Sequence, residues 1–85
     1  MSGYSVDHEV KQLVTELKRI GEEQQDGTYT TKFITLFKDE RCEQIFESLV
    51  GTLKAAKKRG IVHFATEFLL QGAHDDVIIT LLKEN

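Results

Sequence analysis

Phe46-Glu-Ser-Leu-Val-Gly-Thr-Leu-Lys-Ala-Ala-Lys-Lys-Arg-Gly60 is the stretch on which the reading of this chain turns. With the residues just before it, it makes one amphipathic pattern over 41–59. Ile45, Phe46, Leu49, Val50, Leu53 and Ala56 fall on a single helical arc. Ser48, Gly51, Thr52 and Ala55 form a small-residue stripe on the other side. An interior glycine costs about 1 kcal/mol against alanine, so Gly51 implies a close approach, and packing on an earlier helix of the same domain is favoured over a partner helix. The Lys-Lys-Arg run before Gly60 suits the negative end of the helix dipole, and Gly60 suits a stop.

Upstream, Val6, Val10, Leu13, Val14, Leu17 and Ile20 share a face and predict a helix over 6–20, with Ser5 as N-cap and Gly21 as the stop. Asp26-Gly27 is a turn signal, and Thr28-Tyr29-Thr30 is rich in β-formers but so short that it predicts a small edge strand. Phe33, Leu36 and Phe37 predict a short helix over 32–38, capped by Thr30 or Thr31. Downstream, Ile61–Phe64, Phe68–Leu70 and Val77–Leu82 flank a Gly/Asp-containing connection and predict a β-hairpin. The expected fold is α+β and winged-helix-like: three helices, a short strand and a C-terminal hairpin, with residues 6–82 as one domain between tails at 1–5 and 83–85. A three-helix bundle with an appended hairpin is the other architecture that fits.

At 85 residues there is room for one core. No apolar run reaches the roughly 18–20 residues needed to span a bilayer, and the N-terminus lacks the layout of a secretory signal. A lone Cys42 implies a reducing compartment. The expected location is therefore the cytoplasm, with the nucleus reached by diffusion, and the expected state is a monomer. The net charge of −3 is unevenly spread. Residues 1–31 and 61–85 each carry an acidic excess, and residues 32–60 a basic one. That pattern describes a dipolar surface and not a general polyanion binder.

Against this background, Leu49-Val-Gly-Thr-Leu-Lys-Ala-Ala-Lys-Lys-Arg-Gly-Ile-Val62, Leu69-Leu-Gln-Gly72 and His74-Asp-Asp-Val77 closely resemble the Costars family. The resemblance begins at Val6-Asp7-His8-Glu9-Val10, takes in Asp26-Gly27, Phe33, Leu36-Phe37 and Cys42, and ends near Leu82. Departures from the family pattern are Ala65-Thr66, where a Pro-Gly or similar pair is common, Phe68 in place of a leucine, and Ile34 where glycine is common. Costars proteins are small and actin-associated, and the same domain forms the C-terminal part of the striated-muscle activator of Rho signalling. The resemblance implies a winged-helix-like fold, a role in actin dynamics and cell motility, association with the cytoskeleton, no enzyme activity and no cofactor. It implies as partner either actin or an actin-regulating protein of the cofilin type.

Candidate chemistry narrows to one cluster. Lys54, Lys57, Lys58 and Arg59, with Lys38 and Arg41 nearby, are expected to dock an acidic partner surface such as that of actin. Lys54 and Lys58 share a helical face, while Lys57 lies at the edge of the apolar arc. Nucleic-acid binding is the alternative that a winged-helix order invites. It is disfavoured because the expected wing tip, Gln71-Gly-Ala-His-Asp-Asp76, is acidic and residues 43–58 hold no arginine. His74, Asp75 and Asp76 are expected to build a polar turn and not a metal site, because neighbours in a strand point to opposite faces. Cys42 is expected to be a small, partly buried helix residue and not a nucleophile.

Overall fold

The computed structural model describes residues 5–82. Of the expected tails at 1–5 and 83–85, all but Ser5 lie outside these. The described residues form α1 (Val6–Ile20), β1 (Glu22–Glu23), β2 (Tyr29–Lys32), α2 (Phe33–Lys38), α3 (Glu40–Ile45), α4 (Leu49–Lys58), β3 (Val62–His63) and β4 (Ile78–Leu81). The four strands form one antiparallel sheet in the order β1-β2-β4-β3. The α+β class holds, and the winged-helix likeness rests on element order alone.

α1 has the expected bounds for local reasons. The Ser5 hydroxyl accepts the His8 N–H at 3.2 Å, and Gly21 donates its N–H to Leu17 O at 2.8 Å. A Cβ at Gly21 would lie 2.6 Å from Leu17 O and 3.1 Å from Thr30 O, so the close pass of the helix end against β2 requires glycine. β1, unforeseen, folds back on β2 through the Asp26-Gly27 turn, where Asp26 Oδ1 accepts the N–H and hydroxyl of Thr28. α2 is not capped by a threonine. Its entry residue is Lys32, and the first free amides go to backbone oxygens of a distant loop: Phe33 N–H to Val77 O and Ile34 N–H to Asp75 O, at 2.8 and 3.1 Å.

The expected helix over 41–59 is two helices. Asp39 caps α3 by accepting the Cys42 N–H, Phe46 turns to an extended conformation, and Ser48 caps α4 by accepting the Gly51 N–H at 3.0 Å. The break is held by a buried residue of α1. Glu9 accepts the Glu47 N–H at 3.1 Å through Oε2 and the Thr52 hydroxyl at 2.8 Å through Oε1. Glu9 is 5% exposed and Thr52 is 0% exposed. The small-residue stripe accordingly divides: Ser48 is a cap and Thr52 packs onto α1, as the internal-packing reading anticipated, but a Cβ at Gly51 would meet only its own cap, Ser48, at 3.0 Å, so the close approach expected there is absent.

The C-terminal hairpin is shorter than expected. β3 is two residues, paired Val62 with Leu81 and His63 with Thr80, and residues 64–77 connect it to β4 by turns. Within this connection Phe64 and Leu69 are buried, so their apolar character serves the core and not a strand. The core lies between α1, the later helices and the inner face of the sheet, centred on Leu13, Leu17, Phe33, Leu36, Leu53 and Ile79. The outer sheet face carries Lys32 and Ile78, both exposed.

Candidate functional site

Gly60 adopts φ +72° and reverses the chain after α4, so the segment following β3 runs back beside the helix it has just left. Lys57 joins the two. Its ammonium donates to Phe64 O at 2.6 Å and Thr66 O at 3.1 Å, and sits 4.4 Å from the Phe64 ring centroid. The Thr66 hydroxyl then donates to Phe68 O at 2.7 Å, fixing the turn that follows. This arrangement leaves Phe68 61% exposed, with Lys54 Nζ 5.6 Å from its ring centroid. Between α4 and residues 64–68 lies a groove of about 520 Å³ lined by Lys54, Lys57, Lys58, Phe64, Glu67 and Phe68. Its walls are mostly apolar and its ammonium groups outnumber its single carboxylate.

The structure brings together three of the six cations expected to dock a partner. Lys54 and Lys58 project along one edge of α4 and are exposed, whereas the Lys57 charge is engaged by backbone oxygens. Arg59 turns toward α1 and pairs with Asp7 at 2.7 Å. Arg41, on α3, pairs with Glu16 at 2.9 Å. Lys38 is exposed at the end of α2. Phe68 and Glu67, which complete the groove, were not part of the expected cluster. The sequence reading had placed Phe68 in an apolar run of the hairpin, whereas it lies outside any strand and is exposed.

A second charged assembly lies between α1 and α3. Glu16, almost fully buried, receives Arg19 Nε at 2.6 Å on one oxygen and Arg41 Nε at 2.9 Å on the other. Arg19 also reaches Asp39 Oδ1 at 2.8 Å. Burial pushes the Glu16 carboxyl up, but the hydrogen bonds and charges of Arg19 and Arg41 outweigh it and hold it below the ordinary value. The Cys42 N–H, followed by Arg19, likewise holds Asp39 down. Ligand atoms of Glu16, Asp39 and Cys42 lie within 4.8 Å of one another. The donor chemistry does not suit a metal: both Glu16 oxygens serve arginines, and burial, with the charges of Asp39 and Glu16, pushes the Cys42 thiol up to about 12. At 1% exposure, and with its thiol so raised, Cys42 is poorly suited to act as a nucleophile.

His74, Asp75 and Asp76 build a turn, as expected. His74 Nδ1 accepts the Leu70 N–H at 3.0 Å, Asp75 Oδ1 accepts the Gly72 N–H at 2.7 Å, and Asp76 pairs with Lys32 at 3.4 Å. Among the described residues, no helix is long and apolar enough to cross a membrane.

The chain belongs to the Costars family, whose model matches residues 5–82. A Costars family protein of Nematostella vectensis is 59% identical over 80 residues, covering 94% of this chain and 98% of that protein. The human Costars family protein ABRACL is 55% identical over 80 residues, covering 94% and 99%. Among solved structures, the solution structure of human HSPC280 protein superposes with a TM-score of 0.83 at 54% identity, covering 94% of both chains.

Proposed function

We propose that this chain is a non-catalytic binding module of the cytoplasm that regulates actin dynamics and cell motility, through contact with actin or with an actin-regulating protein of the cofilin type. The observation that carries the reading is Costars membership over residues 5–82, since that family is the actin-associated one the sequence resembles. The polarised charge and the exposed edge of α4 support it. In this reading the exposed Lys54 and Lys58 meet an acidic partner, and Lys38, Arg41 and Arg59 contribute to the field that steers approach. Lys57 acts mainly by shaping the surface that the other two flank.

The test is co-sedimentation with F-actin and pull-down of cofilin with the full chain, wild type against Lys54→Glu/Lys58→Glu. The variant leaves the Arg59–Asp7 and Arg41–Glu16 pairs in place and is expected to fold normally and to lose retention by about tenfold. Unchanged retention by a folded variant rejects the basic edge as the docking surface. Micromolar binding to duplex DNA at physiological salt, with no retention by either protein, replaces the actin reading with the nucleic-acid one.

A further inference from the structure

The groove beside α4 combines features that a plain charge-steering surface does not need. Phe68, in its lining, is 61% exposed, and Leu70, just outside the lining, is 59% exposed. Exposed apolar surface of this kind, rimmed by charge, is the usual composition of a recognition site. The turn that presents Phe68 is held by the Lys57 ammonium on Phe64 O and Thr66 O and by the Thr66 hydroxyl on Phe68 O. The backbone that carries the Phe68 ring is thus held before any ligand arrives, which lowers the ordering cost of binding. Lys54 and Lys58, one helical turn apart, flank the groove from α4, with Lys54 Nζ 5.6 Å from the Phe68 ring centroid.

We propose that this groove binds a short acidic segment of a partner protein, which inserts one large apolar side chain against Phe68 while its carboxylates meet Lys54 and Lys58. The inference rests on the reading that the basic edge of α4 docks a partner, and adds the chemistry of what docks. Charge complementarity selects the occupant. Two outward ammonium groups on a chain of net charge −3 make a local positive site suited to a few discrete carboxylates. The apolar walls ask for an apolar anchor between those carboxylates. Glu67, within the lining, penalises a continuous polyphosphate crossing the same groove.

Fluorescence anisotropy with the full chain provides the test. The probe is a labelled peptide of mixed aspartate and glutamate with one central leucine, paired with a twin carrying alanine at that place. The leucine peptide is expected to bind about tenfold or more tightly than its twin, and its affinity is expected to fall as salt rises. Phe68→Ser and Lys54→Gln/Lys58→Gln are each expected to weaken it about tenfold, with amide shifts in the folded wild type concentrated at residues 54–58 and 64–68. Equal affinity for the two peptides, or full binding by Phe68→Ser, overturns the proposal. So does a short oligothymidylate that binds more tightly than the peptide and displaces it. F-actin and cofilin retention, run on the same variants, separates the two readings. Peptide binding abolished by Phe68→Ser in the absence of any actin or cofilin retention upholds the groove and rejects the actin reading. Retention sensitive to Lys54 and Lys58, with no peptide binding, rejects the groove and upholds actin.

Discussion

Glu9 ties α1 to the start of α4 with two hydrogen bonds, and Thr52→Val tests how much that tie contributes. The substitution keeps the side chain's size but removes the hydroxyl that donates to Glu9 Oε1 at 2.8 Å. A hydrogen bond to a charged group contributes about 1.5–3 kcal/mol, and here its loss strands one oxygen of a carboxylate that is 5% exposed. Taking about 2 kcal/mol, and about 4–8 °C per kcal/mol for a domain of this size, Thr52→Val is expected to lower Tm by about 8–16 °C. Glu9→Gln is the control. Its amide oxygen can still accept the Glu47 N–H, and its amide nitrogen can donate to the Thr52 hydroxyl, so mainly the charge assistance is lost. The expected cost is about 1 kcal/mol. Glu9→Ala, which orphans the Glu47 amide and the Thr52 hydroxyl together, is expected to exceed both. Urea and thermal unfolding followed by circular dichroism give the three values, and exchange of the Glu47 amide reports the local opening. The reasoning is refuted if Thr52→Val lowers Tm by less than about 3 °C, or if glutamine proves as costly as alanine at position 9.

Glu16 and Asp39 are held below their ordinary values in the folded state, so the stability they contribute is present in full above the unfolded carboxylate values near pH 4 and is lost as pH falls through the folded ones. The urea midpoint is expected to decline on that acid limb, and less steeply in Arg41→Met. Cys42, with its thiol pushed up to about 12 by burial, is expected to resist an aromatic disulfide reagent in native protein and to react at once in urea. Gly21→Ala forces a Cβ to 2.6 Å from Leu17 O and is expected to cost about 1–3 kcal/mol, read from the urea midpoint.

What was legible in the sequence is what short-range chemistry decides. The bounds of α1, the Asp26-Gly27 turn and the stop at Gly60 all follow from residues within a few positions. The break between α3 and α4 was hidden because Ile45 to Ala56 keep an unbroken helical apolar arc, while the group holding the break, Glu9, is 38 residues away from Glu47. Ser48 three residues before Gly51 was the available local hint. β1 was hidden because Glu22–Glu23 has no strand character of its own and exists through pairing with β2. At the candidate site the lysines were legible as a cluster. That Lys57 would turn inward, and that Phe68 would stand out beside Lys54, depends on the path of residues 64–68, which periodicity does not encode.

The order of strands also bears on synthesis. Among the described residues β4 comes last in chain order, yet it lies between β2 and β3 and supplies the pairing partner of each. Until residues 78–81 have emerged from the ribosome, the β1–β2 pair that α1 meets lacks its inner neighbour, and Ile79 and Leu81 are missing from the core that Leu13, Leu17 and Leu53 share. The four-stranded sheet is therefore complete only when β4 pairs, which ties the closing of the domain to residues 78–81.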